Sequence, residues 1–278
     1  TLSLHDALPI FYTVMVVLPL FAAALFYMPT GGWALFLTPL MLAGAWEWGA
    51  LAGWGVAGRV IYAGVLALAS AALWCLAYSS GGLTAVPRDV NVALFGASLV
   101  FWLTAAPLWM ARGWRAQSLP VMAVTGLLLL LPLWWALVVL QARPLQLLAL
   151  MALVWISDSA AYLCGRLWGR RKLAVTISPG KTWEGVFGAL AGVALYYGLV
   201  SASGLVHSGI LQGAAGFVIF VFLAVLGIEG DLFESWIKRT AGVKDSGVLF
   251  PGHGGVLDRI DALTASMPAA ALLLVAFS

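Results

Sequence analysis

SLPVMAVTGLLLLLPLWWALVVL, residues 118–140, runs through 23 positions without one charged side chain. At 1.5 Å per residue, a helix of that length reaches about 35 Å, enough to cross a hydrocarbon core of roughly 30 Å. Lipid offers the backbone no hydrogen-bond partners, so such a run must satisfy its own N–H and C=O groups as a helix. Eight further apolar runs lie around it, at 10–28, 33–53, 60–79, 90–111, 144–164, 183–203, 208–228 and 256–278. The pattern predicts an all-α polytopic membrane protein of about nine spans, with no repeat or low-complexity linker to divide it.

Composition agrees. Of the 278 residues 63% are hydrophobic and only 9% charged, whereas a soluble domain carries about a quarter charged residues. Mean hydropathy is +1.02. The 14 tryptophans are expected at the headgroup level, where amphipathic rings are favoured. Cys75 and Cys164 match no zinc or redox spacing and are read as packed thiols. The first ten residues, TLSLHDALPI, resemble translated adaptor sequence and are set aside as non-native.

The cations fix an orientation. Connections after the second, fourth, sixth and eighth runs hold Arg59, Arg112, Arg115, Arg166, Arg170, Arg171, Lys172, Lys181, Lys238, Arg239, Lys244 and Arg259, while the other side holds only Arg88 and Arg143. Twelve against two places the even connections in the cytoplasm. Eight of the eleven acidic residues follow position 150, and they fall in two polar blocks on that side.

The second block, residues 229–261, is the richer. On a helix, Asp231, Glu234, Ser235, Lys238 and Arg239 share one arc, and Leu232, Phe233, Trp236 and Ile237 share the other. This predicts a separate amphipathic helix that either lies on the headgroups or lines a cavity. PGHGGVLDRID, residues 251–261, favours the cavity. Gly252, Gly254 and Gly255 let backbone approach a ligand closely, and a helix starting near Val256 would aim its free N–H groups at a phosphate. Asp258 and Asp261 sit three apart at that helix start. Asp231 and Asp245 could join them as hard-oxygen ligands for Mg²⁺, with Lys238, Arg239, Lys244 and Arg259 facing phosphate oxygens. His253 is a general base or a phosphate-positioning group, the latter preferred.

In the first block, residues 157–185, Asp158 lies near the end of a span, and Ser178, Lys181 and Thr182 precede a helix. Val175 breaks the P-loop spacing, and Ser178 with Pro179 also fits an ordinary helix start. Arg170, Arg171 and Lys172 are read as headgroup anchors. Glu47, in AWEWG, is either an interface residue or a cavity wall.

The run from Ser235 to Asp261, SWIKRTAGVKDSGVLFPGHGGVLDRID, resembles the signature of the phosphatidate cytidylyltransferases. DSAAY, ISPGKTWEG and EGDLFES resemble further segments of that family, in its order. The resemblance covers roughly 150–265, so that residues 11–143 form N-terminal helices and 144–278 the catalytic part of a single domain. It implies a nucleotidyltransferase that joins CTP to phosphatidate, releasing CDP-diacylglycerol and pyrophosphate in a bacterial inner membrane. It also implies Mg²⁺, as one ion or two. Asp231 and Asp258 are then first choices for metal ligands, followed by Asp261 and Asp245. Lys238, Arg239, Lys244 and Arg259 would grip CTP phosphates, and Asp158, Ser178, Lys181, Ser235, His253, Gly254 and Gly255 would bind substrate. Membrane lipids are the surrounding partners, nucleic acid is not expected, and a homodimer is left open. A transporter would scatter its charges through the spans, and the D-G-x-x-A-R…D-x-x-x-D pattern of CDP-alcohol phosphotransferases is absent.

Overall fold

A computed structural model describes Met15 and residues 18–83, 86–115, 118–205, 209–249 and 254–277. Among these residues eight helices are long and apolar enough to cross a membrane, and a shorter apolar helix, α1 (Leu18–Tyr27), precedes them. They are α2 (Thr30–Leu51), α3 (Val56–Ser79), α4 (Arg88–Ala111), α5 (Leu119–Leu140), α6 (Pro144–Trp168), α7 (Trp183–Ser203), α8 (Gly213–Thr240) and α9 (Leu257–Ala276). Of the first expected span, 10–28, the described helical part is α1. Positions 101–105 of α4 form a π-helical turn.

The charge-free run that marks the fold in sequence is also its central post. Helix α5 packs against α2, α3, α4 and α9, and α9 touches α2, α4, α5, α6 and α8. The last helix therefore joins the N-terminal helices to the C-terminal group α6–α8. Small residues permit the tight crossings, as is usual where packing rather than hydrophobicity drives association in lipid. A Cβ on Gly188 of α7 would lie 2.4 Å from the Cβ of Cys164 on α6, and one on Gly230 of α8 would lie 2.6 Å from the Asp261 carbonyl of α9.

Trp46, Trp114, Trp155, Trp168 and Trp183 are exposed, but other tryptophans pack inside the protein. Trp33, Trp48, Trp102 and Trp135 are fully buried, and each indole N–H reaches across to another helix. Trp48 donates to the Met122 carbonyl at 2.8 Å and Trp33 to Leu137 at 3.0 Å. Trp102 donates to the Thr264 carbonyl at 3.2 Å. That carbonyl is available because Pro268 within α9 has no N–H to return to it. Of the two thiols, Cys75 is exposed rather than packed, and Cys164 is half-buried.

The expected separate amphipathic helix at 231–239 does not exist as its own element. Helix α8 runs unbroken from Gly213 to Thr240 over 28 residues, about 42 Å, so its end projects beyond a hydrocarbon core of roughly 30 Å. A two-stranded antiparallel hairpin, β1 (Lys172–Ala174) and β2 (Ser178–Thr182), links α6 to α7 at the same end of the molecule, with Lys172 opposite Thr182.

Candidate active site

The projecting turns of α8 are held by their apolar arc. The Phe233 ring stands edge-on to Phe101, Trp102 and Trp109 of α4, with centroids 5.4, 5.6 and 5.6 Å away. The Trp236 indole N–H donates to the Trp114 carbonyl at 2.9 Å. This arc packs on protein, so the headgroup-lying alternative gives way to the cavity one. Its polar arc faces α9 and the loop before it.

Lys238 is 9% exposed, and its Nζ lies 2.7 Å from Glu234 Oε2 and 2.5 Å from Asp258 Oδ1. The other Asp258 oxygen, Oδ2, accepts from the Ser246 N–H and hydroxyl, both at 2.9 Å, and from the Gly255 N–H at 2.8 Å. Such a buried ammonium keeps its charge at low cost only when carboxylates surround it. Both oxygens of Asp258 are thus engaged by protein donors.

Glu47 completes the arrangement from the N-terminal helices. Its side chain is buried, and Oε1 accepts from the Val256 N–H while Oε2 accepts from the Leu257 N–H and the Ser246 hydroxyl, all at 2.9 Å. It is neither an interface residue nor a cavity wall but a cap on α9. The helix start read as a phosphate site is therefore filled internally: the N–H groups of residues 255, 256 and 257 all point at protein carboxylates. The glycines follow suit. A Cβ on Gly255 would lie 2.4 Å from Glu47 Oε2, and one on Gly247 2.4 Å from Glu47 Oε1. Gly254 adopts φ +78°, and its Cβ would lie 2.6 Å from Asp258 Oδ2. Gly254 and Gly255, expected to meet substrate, make room for Asp258 and Glu47. Gly252 and His253 lie outside the described residues.

Most of the other expected residues gather around one cavity of about 610 Å³. Helix α6 contributes Asp158, and the hairpin contributes Ser178 and Lys181. From α8 come Asp231, Ser235, Lys238 and Arg239, from the loop Lys244 and Asp245, and from α9 Asp258, Arg259 and Asp261. Lys181 Nζ sits 2.6 Å from Asp231 Oδ2, tying the two polar blocks together. Arg166 and Tyr162 also line it, with the guanidinium donating to the phenol oxygen at 2.9 Å. Among the described residues, the ion pairs of the cavity involve only Lys181 and Lys238. Arg239 donates to the carbonyls of Ile177 and Val243. Arg239, Lys244 and Arg259 thus bring positive charge that no carboxylate among the described residues neutralises by a salt bridge, as a polyphosphate site needs.

The hairpin explains the first block. Ser178 lies in β2 rather than at a helix start, and the cap of α7 is Thr182, whose hydroxyl accepts from the Gly185 N–H at 3.1 Å. Glu184 accepts from the N–H groups of Arg170 and Arg171 at 3.0 and 3.1 Å. That ties down the basic turn, which stays exposed to the surroundings.

Among the described residues, no three His, Cys, Asp or Glu side chains stand close enough together to hold a metal ion by themselves. Mg²⁺ does not require that, since it commonly takes one or two carboxylates plus substrate phosphates. The donor chemistry fits: Asp158, Asp231 and Asp261 bring carboxylates from three helices to one cavity. Asp261 commits Oδ1 to the Ala262 N–H. Asp258, a first choice in sequence, accepts from Lys238 on one oxygen and from three donors on the other. Ser246 carried no signal in the sequence, and Glu47 and Glu234, although visible there as acids beside apolar runs, gave no sign of the partners they hold.

Residues 10–277 match the model of the Cytidylyltransferase family. The chain belongs to that family. It is 40% identical over 277 residues to a phosphatidate cytidylyltransferase of Pseudomonas aeruginosa, covering 94% of each chain. Shorter matches link it to phosphatidate cytidylyltransferases of Haemophilus influenzae, 49% identical over 44% of this chain and 43% of the relative, and of Brucella suis, 46% identical over 45% and 43%.

Proposed function

We propose that this cytidylyltransferase uses phosphatidate as its acceptor, converting CTP and phosphatidate to CDP-diacylglycerol and pyrophosphate. The observation that carries the proposal is the 40% identity to a phosphatidate cytidylyltransferase across nearly the whole of both chains. The site is read as facing the cytoplasm of a bacterial cell from its inner membrane, because twelve of the fourteen Lys and Arg residues lie on that side. The cavity sits where α8 leaves the hydrocarbon, within reach of both a lipid phosphate and a water-borne nucleotide.

In the reaction, an oxygen of the lipid phosphate attacks the α-phosphorus of CTP. The new O–P bond forms as the bond to the β-phosphate oxygen breaks in line, and pyrophosphate leaves with that electron pair. The attacking phosphate is already ionised near neutral pH, so no side chain needs to remove a proton. Arg239, Lys244 and Arg259 offset the charge of the triphosphate, and Lys181 draws the lipid phosphate toward it. Lys238, fixed by Asp258 and Glu234, presents its remaining charge to the oxygens that become more negative as the bond breaks. Asp231 and Asp261, assisted by Asp158, would hold Mg²⁺, which supplies charge neutralisation and orients the phosphates when bound.

The test is incubation of the purified protein in detergent with CTP, phosphatidate and Mg²⁺. CDP-diacylglycerol should form, and it should vanish when phosphatidate or Mg²⁺ is omitted. Folded protein that makes none, or that uses diacylglycerol as readily, contradicts the proposal.

A further inference from the structure

Glu47 lies 209 residues from Val256 in sequence, yet it caps the start of α9. Its carboxylate takes three donors, the N–H groups of Val256 and Leu257 and the hydroxyl of Ser246. The same hydroxyl stands 2.9 Å from Asp258 Oδ2. A serine has one hydroxyl proton, so that proton is shared between two buried carboxylates. Asp258 in turn holds Lys238, which also pairs with Glu234. One continuous chain of charge-assisted contacts therefore runs from α2, through the loop, into the cavity wall. Gly247 and Gly255 leave the space that the Glu47 carboxylate fills.

We propose that Glu47 is a positioning residue for the reaction: through Ser246 and Asp258 it fixes where the Lys238 ammonium stands in the cavity. The inference rests on the reading of Lys238 as part of the reacting site. Glu47 touches no cavity surface itself, and its effect must pass through the loop. It also gives the N-terminal helices a part in catalysis beyond that of a membrane scaffold.

The experiment compares Glu47→Gln, Ser246→Ala, their double variant and Lys238→Ala, in purified form, by kcat and KM for CTP alongside size-exclusion profile and thermal midpoint. Gln keeps the size and one acceptor oxygen but meets the Leu257 N–H and the Ser246 hydroxyl with an amide. Folded Glu47→Gln should lose about 10- to 100-fold in kcat with little change in KM, the scale of a buried charge-assisted hydrogen bond. Ser246→Ala should lose about tenfold or less, and the double variant should fall less than the product of the two losses. If Glu47→Gln does not fold, Ser246→Ala, which leaves both N–H contacts of Glu47 in place, carries the same kinetic test. Folded Glu47→Gln with wild-type kcat overturns the inference, as do two losses that simply multiply. Lys238→Ala separates the layers. If it retains full activity, the reading of the cavity fails, whereas an inactive Lys238→Ala beside a fully active Glu47→Gln overturns the positioning role alone.

Discussion

The two ends of the signature region put their carboxylates to opposite uses. Around α9, Asp258 and Glu47 accept from five donors of the Ser246–Leu257 segment, the Ser246 hydroxyl being shared between them, and Asp258 adds the Lys238 ammonium. Across the cavity, Asp231 meets one lysine of the hairpin and, at 3.4 Å, the Ser235 hydroxyl, and Asp261 one backbone N–H. The former group is closed and holds the wall in place; the latter retains capacity for a ligand. Two aspartates three positions apart in one helix, Asp258 and Asp261, thus fall on different sides of this division.

That contrast can be broken by substitution. Asp258→Asn should be the most damaging change, because it removes one partner of a buried pair and leaves Lys238 to Glu234 alone. Loss of such a partner costs about 3–5 kcal/mol, so both the thermal midpoint and turnover should collapse together. Asp231→Asn and Asp261→Asn should behave otherwise. Each should lower kcat by at least about 100-fold, as removal of a preorganised charge does, while the thermal midpoint stays near that of the parent. A stable, active Asp258→Asn beside an unfolded Asp261→Asn would invert the comparison.

Smaller effects sharpen it. Lys181→Ala removes the cation that joins the hairpin to Asp231, and the KM for phosphatidate should rise about tenfold, within the range for a hydrogen bond to a charged group. Unchanged KM would remove Lys181 from the phosphatidate site. Thr182→Ala deletes the cap of α7 and should cost about 1 kcal/mol, visible as a modest fall in thermal midpoint with kcat intact.

Much of this was legible in the sequence, for reasons that differ by residue. Charge-free runs such as 118–140 must be helices in lipid, so most spans emerged within a few residues of their ends, α8 excepted. Acids next to a bilayer are costly enough to mark a site, and Asp158, Asp231, Asp258 and Asp261 do share one cavity. Their division into closed and open groups was not legible, because it depends on Glu47, whose contact with Val256 leaves no trace in local spacing. The same distance hid the contacts of Gly254 and Gly255 with Asp258 and Glu47: a glycine reports that something comes close, not what it is. The buried tryptophans were not foreseen because the headgroup preference describes rings at a surface, whereas Trp102 answers a carbonyl freed by a proline on another helix. The hairpin at 172–182 was missed since its strands are too short to show alternation. The unbroken α8 was missed because its polarity changes at Glu229 while its helical period does not.

The central claim concerns which bonds form and break, and isotopic label follows them directly. CTP labelled at the α-phosphate should carry its label into the lipid product, one label per lipid phosphate consumed, while label at the γ-phosphate should appear only in pyrophosphate. Release of γ-label as inorganic phosphate without labelled lipid, from protein shown to be folded, would contradict the account.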